Sequence, residues 1–285
     1  MKRLLCLCLI LCLIYGLCQG EASLTQKEFF DNRESVSYMV DVPHRGLMRY
    51  YAQNDPLYET VKYENRKRNK YRKFATGACV PTSLAMVLAN LVPMEDLPKI
   101  GEATYQNRGV RFCQCSCGPF HCNGQHEQYQ LTTAQEYYRY LPMVTGGYAC
   151  GNGPSGTVFR RNVGGTSTSL IKTLCLFYGL TYEDRVTLQE ALEGIRQGGI
   201  VIVSTGGRAT PFANGGHYMV LASYDDEYLY IMDPMLKESY GKTDKEELLE
   251  IISPGLVRAR REDLKKLYLT SFTLISSPEA NVQAS

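Results

Sequence analysis

The chain lacks tryptophan and has no marked excess of charge of either sign. Its 285 residues include 31 lysines and arginines against 29 aspartates and glutamates, and 44% of them are hydrophobic. This composition is typical of a globular protein and excludes a disordered or fibrous chain. Because no global basic footprint exists, we predict no nucleic-acid partner.

Long hydrophobic runs are also scarce. The run Leu4 to Ile14 is 11 residues long, follows two basic residues and precedes small residues up to Gly20. A membrane-spanning helix needs about 20 apolar residues, so this pattern predicts a secretory signal peptide over residues 1–20. Without a second long apolar segment, we expect no stable membrane insertion of the mature chain and a secreted or extracytoplasmic location.

The cysteines form two groups. Of the 11 cysteines, four lie in the predicted signal peptide, which leaves an odd number, seven, in the mature chain. At least one mature thiol is then free or paired to another molecule. Cys79 and Cys175 are isolated, and Cys175 has the helical spacing of a small core residue. The others form a cysteine cluster: Cys113, Cys115, Cys117, Cys122 and Cys150. An oxidising compartment favours disulfides here, with zinc on the first four cysteines, or free thiols, as alternatives.

The apolar pattern predicts an α+β protein, with extended structure at 36–51 and a loop or short helix in the basic stretch 58–73. Helices are predicted from the Cys79 region to Pro93, from Thr133, over 168–178, from Thr187 to Gly198, and from Thr243 to before Pro254. Strands are predicted at 200–204, 217–224, 228–232 and 268–275. Residues 101–165 are predicted to be a cysteine-rich excursion. An N-terminal lead covers 21–35, one domain covers 36–278, and a tail covers 279–285.

Cys79 is placed as a nucleophile would be. It lies at the predicted N-terminus of a helix, where unpaired backbone N–H groups and the helix dipole favour the thiolate over the thiol. Pro81 fits the first helical turn, because its missing N–H costs nothing there. The alternative at this level is a buried structural cysteine or half of a disulfide.

His217 and Asp233 are predicted to meet across a hairpin. His217 begins one strand, Asp233 follows the next, and a turn centred near Asp225 would place the two side by side at the open end. A carboxylate beside an imidazole fixes its tautomer, and the imidazole then exchanges protons with a thiol. The alternative is a core histidine and an ordinary Asp-Pro turn.

An acyl-transfer site also needs hydrogen-bond donors for the oxyanion. The backbone N–H of Cys79 can be one donor, since helix N-termini present free N–H groups. The side-chain amide of Gln53 is the candidate for the second. The competing interpretation makes Gln53 a residue of a surface turn.

Four motifs together resemble a known family. They are Gln-x-Asp-Pro-x-aromatic at 53–58, Gly-x-Cys-x-Pro-Thr-Ser-Leu-Ala-Met-Val-Leu at 77–88, Gly-Gly-Thr-Ser at 164–167, and Gly-His-Tyr-Met-Val-Leu at 216–221 with Asp-Pro at 233–234. In this order they resemble the papain-like cysteine peptidases related to bacteriocin-processing, double-glycine leader peptidases. The likeness covers residues 36–275 and is closest to the stand-alone exported branch.

This resemblance implies a papain-like fold whose nucleophile begins a helix packed on a late antiparallel sheet. It implies Cys79 as nucleophile, His217 as general base and acid, Asp233 as the residue that orients His217, and Gln53 in the oxyanion hole. The implied activity is an exported cysteine peptidase that hydrolyses a peptide or protein substrate through a thioester acyl-enzyme, without a cofactor. Two alternatives remain open: a binding module with an unused site, and a cell-wall peptide amidase or transpeptidase. The oligomeric state is also open.

Overall fold

The computed structural model describes residues 37–59, 62–65, 70–100, 111–112, 129–153, 155–161, 165–207, 209–240 and 248–278. The predicted signal peptide, N-terminal lead and C-terminal tail lie entirely outside these residues. So do four members of the cysteine cluster, namely Cys113, Cys115, Cys117 and Cys122. The disulfide and zinc interpretations of that cluster therefore stay predictions.

Groups of strands are separated by helices along the described residues. The strands are β1 (Ser37–Val42), β2 (Gly46–Tyr51), β3 (Lys62–Asn65), β4 (Lys70–Lys73), β5 (Arg111–Phe112), β6 (Tyr129–Gln130), β7 (Arg160–Arg161), β8 (Gly165–Thr166), β9 (Thr181–Val186), β10 (Ile200–Thr205), β11 (His217–Tyr224), β12 (Tyr228–Met232), β13 (Glu250–Ser253), β14 (Leu256–Arg260) and β15 (Leu269–Ser276). The α-helices are α1 (Phe74–Gly77), α2 (Cys79–Leu91), α3 (Ala134–Arg139), α4 (Leu141–Gly147), α5 (Ser169–Phe177), α6 (Leu188–Arg196) and α7 (Leu264–Leu267).

The main sheet has seven strands in the order β13-β14-β12-β11-β10-β15-β9, and every neighbouring pair is antiparallel. Short two-stranded sheets join β1 to β2, β3 to β4, β5 to β6 and β7 to β8. The predicted α+β class with a late antiparallel sheet is thus confirmed. Strands β11 and β12 have the predicted bounds, and β15 differs from its prediction by one residue at each end.

The middle of this sheet is buried on both faces. All six residues of β10 are buried, and its side chains alternate between two apolar clusters. Ile200 and Ile202 face the cluster that contains α2, whereas Val201 and Val203 face the cluster that contains α6. A strand covered on both sides is apolar throughout, which explains why the sequence shows a continuous hydrophobic run there.

Helix α2 runs through the core. Residues 80–88 are all buried, and the helix packs against β11, β2 and α4. A helix that is apolar all round is stable only when it is covered on every side. Its predicted start at Cys79 and its end before Pro93 are both confirmed.

Capping boxes mark two of the helices, as the sequence predicts. Thr133 accepts a hydrogen bond from the Glu136 N–H at the start of α3, and Thr187 does the same with Glu190 at the start of α6. Each glutamate returns a bond to the N-cap backbone, so two otherwise unpaired N–H groups are satisfied at each end.

The prediction of a loop or short helix over the basic stretch 58–73 is wrong, because β3 and β4 form an antiparallel hairpin there. Tyr63 explains the difference. It is fully buried, and its ring lies 5.4 Å from the ring of Phe74 in an edge-on contact. The hairpin is thus anchored by the apolar contact of Tyr63 with Phe74, which follows β4. The charge pattern of the stretch does not reveal this contact.

The helix predicted from Thr243 is also wrong where the structure describes it. Residues 241–247 lie outside the described ranges, but Glu250–Ser253 form strand β13 and pair with β14. Gly255 makes this hairpin possible, since its φ of +76° is a conformation that favours glycine. The pairing partner lies beyond the turn, and a capping-box pattern carries no information about it.

Candidate active site

Cys79 is the first residue of α2, and no side chain caps this helix end. The backbone N–H groups of the first turn therefore remain available near the thiol. The turn is held in place from two sides: Thr145 in α4 donates to the carbonyl of Pro81 (2.9 Å), and Ser83 donates to the carbonyl of Tyr218 in β11 (3.1 Å). The second bond fixes the nucleophile's helix next to the strand that begins with His217.

His217 is buried at the start of β11, with 5% of its surface exposed. Its backbone N–H donates to the hydroxyl of Thr205 in β10 (3.0 Å), which anchors the beginning of the strand. Its ring Nε2 lies 2.6 Å from Oδ1 of Asp233. Since Nε2 is used in this way, Nδ1 is left for the hydrogen bond between the imidazole and the Cys79 thiol.

Asp233 is fully buried directly after β12. Its backbone is held on both sides, because its N–H donates to the carbonyl of Gly255 (2.8 Å) and its carbonyl accepts from the Tyr50 hydroxyl (2.8 Å). Its Oδ1 also accepts the N–H of Met235 (2.8 Å). Gly255 is required here, since a Cβ at this position would overlap the Tyr50 side chain.

The prediction that His217 lies directly across from Asp233 in the β11–β12 hairpin is wrong by two residues, although the two side chains are in contact. Val220 pairs with Met232 and Leu221 with Ile231, and the register shifts again before Ser223. A shift of two residues keeps every side chain on the same face of the sheet. His217 can therefore still reach Asp233, along the diagonal between neighbouring positions rather than directly across.

Gln53 lies inside the protein and not in a surface turn, since only 2% of it is exposed. Its backbone N–H donates to the carbonyl of Pro234 (2.6 Å), and its side-chain Nε2 donates to the carbonyl of Ala75 (2.6 Å). Gln53 thus joins the turn after Asp233 to the segment just before Cys79. Because the amide nitrogen carries two hydrogens, the bond to Ala75 uses only one of them.

The neighbouring residue Asn54 strengthens this connection. Its Nδ2 donates to the carbonyl of Leu236 (2.9 Å), and its Oδ1 accepts the N–H of the same residue (3.0 Å). A paired exchange of this kind resembles one rung of a β-ladder made by a side chain. It adds a second contact between the segment of Gln53 and the turn after Asp233.

The three titrating groups shift one another's pKa values. Burial raises the pKa of the Cys79 thiol. The hydrogen bond and charge of His217 together lower it by more than burial raises it, so the net pKa lies below the ordinary value. Burial lowers the pKa of His217, yet the charge and hydrogen bond of Asp233 outweigh it and raise the pKa to about 9. For Asp233, burial raises the pKa, but the charge and hydrogen bond of the His217 imidazolium outweigh this effect, so the net pKa lies below its usual range. At neutral pH these directions favour a thiolate–imidazolium pair beside an ionised carboxylate.

Several supporting residues were not predicted from the sequence. Tyr50, Thr205 and Gly255 hold the backbones of His217 and Asp233 through contacts between distant parts of the chain. The turn-forming pair Pro254-Gly255 was the one local signal among them, and it indicates a turn without indicating its partner.

Cys175 behaves as predicted for a core residue. It is fully buried in α5, and burial raises the pKa of its thiol to about 12. Cys79 and Cys175 therefore differ in the two properties that control thiol reactivity, namely access and ionisation.

The described ranges contain neither a metal-binding cluster nor a helix that could span a membrane. No group of three or more histidine, cysteine, aspartate or glutamate side chains there could hold a metal ion. None of the helices in that part of the chain has the length and apolar character needed to cross a membrane.

The fold and the site define a papain-like α+β protein with a cysteine, a histidine and an aspartate in contact. The profile of the Peptidase_C39 like family matches residues 58–251, and the chain belongs to this family. Membership supports a peptidase of the cysteine type.

A solved structure, that of a candidate C39-like peptidase from Bacillus anthracis, is similar to this chain. The two are 17% identical, the alignment covers 84% of this chain and 98% of the other, and the TM-score is 0.34. A search of curated proteins finds no match.

Proposed function

We propose that this chain is an exported cysteine peptidase that hydrolyses peptide bonds through a thioester acyl-enzyme. The observation that carries this proposal is the contact series from the Cys79 thiol through His217 to Asp233, with a 2.6 Å bond between the last two. A cysteine at a helix N-terminus, an imidazole and a buried carboxylate are the components that nucleophilic thiol chemistry needs.

In the proposed first step, the Cys79 thiolate attacks the carbonyl carbon of the scissile bond. The negative charge moves to the carbonyl oxygen, where the backbone N–H of Cys79 and the second N–H of Gln53 donate to it. The imidazolium of His217 then gives its proton to the leaving amine. The C–N bond breaks and a thioester forms.

In the proposed second step, His217 removes a proton from water, and the resulting hydroxide attacks the thioester. The C–S bond breaks, the acid product leaves, and the thiolate and imidazolium are restored. Asp233 stays ionised throughout, and acts by orienting the imidazole and stabilising its positive charge.

Export belongs to the same proposal. Its support is the short apolar segment Leu4 to Ile14 after two basic residues, with small residues up to Gly20. Expression in a secreting host should yield a mature chain that begins near Glu21, which the intact mass measures. A chain that keeps its first 20 residues would contradict the signal peptide.

A peptide-library cleavage assay tests the activity. The full mature chain should cleave a subset of peptides, whereas Cys79→Ala and His217→Ala should abolish turnover while retaining cooperative unfolding. Cys175→Ala is the matched control, because it removes a buried cysteine that the mechanism does not use.

Mass spectrometry of the quenched reaction should show an acyl group on the peptide that contains Cys79. Cleavage by Cys79→Ala at the wild-type rate would overturn the assignment of the nucleophile. Library peptides that are bound but never cleaved would instead favour a binding module, and transfer of the acyl group to an added amine would favour a transpeptidase.

A further inference from the structure

The two oxygens of the Asp233 carboxylate have different surroundings. Oδ1 is used by His217 Nε2 (2.6 Å) and by the Met235 N–H (2.8 Å). Oδ2 is buried and accepts no well-formed hydrogen bond within the described ranges; the Tyr240 phenol makes a looser hydrogen-bond contact with this carboxylate, and the ammonium of Lys237 lies 3.8 Å from Oδ2. One oxygen of the Asp233 carboxylate therefore interacts with groups outside the triad of Cys79, His217 and Asp233, and Lys237 is the charged one among them.

Lys237 is a defined part of the same cluster. Its side chain is 26% exposed, its ammonium donates to the carbonyl of Phe212, and its nitrogen lies 4.9 Å from the centre of the Tyr240 ring. Phe212 is fully buried and packs edge-on against Tyr240 with ring centres 6.0 Å apart. Phe212 belongs to the connection between β10 and β11, which leads directly into His217.

Charge balance gives Lys237 a role at this place. The resting site combines two anions, the Cys79 thiolate and the Asp233 carboxylate, with one cation, the His217 imidazolium. A buried anion without compensation is costly, and the ammonium of Lys237 brings the cluster to neutrality. A cation on the far side of the carboxylate also opposes its rotation away from His217.

We propose that Lys237 is a positioning residue of this site. It keeps the Asp233 carboxylate ionised and turned toward His217, and it links this carboxylate to the β10–β11 connection, which leads into His217. The inference rests on the proposed function, because it adds a supporting residue to the triad of that function.

The other groups around Asp233 do not replace this charge. They are His217 from β11, with the Cys79 thiol beyond it, Tyr50 from β2 and Tyr240 from the loop after β12. Tyr38 and Asp55 act one contact further out, through Tyr50. Burial holds the pKa of the Tyr50 and Tyr240 phenols well above the ordinary value, so both are neutral.

Three substitutions in the full chain separate charge from packing. Lys237→Met keeps most of the apolar stem over Tyr240 and removes both the charge and the donor. Lys237→Gln keeps a donor for the Phe212 carbonyl without the charge, and Lys237→Arg keeps the charge. Lys99→Met is the control, since it removes the ion pair of an exposed lysine with Asp96 (2.7 Å), and the mechanism uses neither residue.

We expect kcat to fall about tenfold in Lys237→Met and Lys237→Gln, a moderate loss because the Lys237–Asp233 ion pair is partly exposed. KM should stay within about twofold, because this ion pair affects the chemical step and not substrate binding. Lys237→Arg should restore kcat to within about threefold of wild type. Lys99→Met should match wild type.

The second readout is the pH dependence of Cys79 alkylation by iodoacetamide, which needs no substrate. Removing a nearby cation makes the Asp233 carboxylate easier to protonate and the Cys79 thiolate less stable. The midpoint of alkylation should therefore move upward by roughly 0.5 to 1 pH unit in the uncharged variants. Wild-type kcat and midpoint in Lys237→Gln would overturn the proposal, and so would a loss in Lys237→Arg equal to that in Lys237→Gln.

Failure of the proposed function is distinguishable from failure of this inference. If the wild-type chain cleaves no peptide but the alkylation midpoint still moves in Lys237→Gln, the peptidase proposal falls and the role of Lys237 stands. If Lys237→Met does not unfold cooperatively in urea, Lys237→Gln and Lys237→Arg still decide the question, since both keep a donor for the Phe212 carbonyl.

Discussion

The oxyanion role of Gln53 makes a prediction that depends on both chemistry and structure. The charge on the carbonyl oxygen exists only in the tetrahedral species, so a donor aimed at it affects turnover far more than substrate binding. Gln53→Ala should lower kcat by about 100-fold, which corresponds to roughly 3 kcal/mol of transition-state stabilisation. KM should change by less than about threefold.

The structure adds a second expected effect. Gln53 is 2% exposed and its Nε2 donates to the carbonyl of Ala75 at 2.6 Å. Removing the side chain leaves that carbonyl without its donor and opens a small cavity, which should cost about 1–3 kcal/mol in the free energy of unfolding. This is less than the ordinary stability of a folded domain, about 5–15 kcal/mol, so the variant should still fold.

Gln53→Glu separates the two effects further. The glutamate has nearly the same shape, but its carboxylate faces the Ala75 carbonyl as a second acceptor and adds negative charge beside the oxyanion. We expect its kcat to fall at least as far as that of Gln53→Ala.

Steady-state kinetics and urea unfolding of both variants decide the matter. A loss of stability together with wild-type kcat would mean that Gln53 only joins the Asp233 turn to the segment before Cys79. The oxyanion hole would then keep its backbone donor alone.

Three further predictions concern the support of the triad and one buried acid. Asp233→Asn should reduce kcat less than loss of His217 does, because it weakens orientation but keeps the base; equal losses in steady-state kinetics would contradict this. Gly255→Ala should lower the free energy of unfolding by about 2–4 kcal/mol, since a Cβ would overlap Tyr50 and the φ of +76° disfavours alanine; an unchanged urea midpoint would contradict the overlap. Burial raises the pKa of Asp55 from 3.8 to about 8, so its ionisation opposes folding and its stability contribution is lost as pH rises through that range. Asp55→Asn should therefore gain stability relative to wild type between pH 5 and pH 8, as urea midpoints at the two pH values would show, and a constant difference would refute it.

The local parts of the fold could be predicted from the sequence. The start of α2 at Cys79, the capping boxes at Thr133 and Thr187, and the bounds of β11 and β12 depend on residues within a few positions of each other. Local hydrogen bonds and periodic burial determine such features. The same information placed Cys79, His217 and Asp233 in one hypothesis.

The pairing and register of neighbouring strands could not be predicted in the same way. The hairpin β3–β4 depends on Tyr63 packing against Phe74, and β13 depends on a partner beyond Gly255. The register of β11 and β12 shifts between Leu221 and Ser223, and no residue type near it signals the shift. In each case the outcome depends on how two strands pack against each other and against the core, which the residue types within one strand do not specify.

For the candidate site, too, local sequence determined some features and tertiary structure determined the others. Sequence alone determined which residue types could perform thiol chemistry and that Cys79 begins a helix, because helix ends and turn residues are encoded locally. Tertiary structure alone decided that Gln53 is buried between Ala75 and Pro234, that Tyr50 supports the Asp233 backbone, and that Lys237 faces the second carboxylate oxygen. The physical reason is that burial and charge pairing arise only when segments far apart in the chain exclude water together.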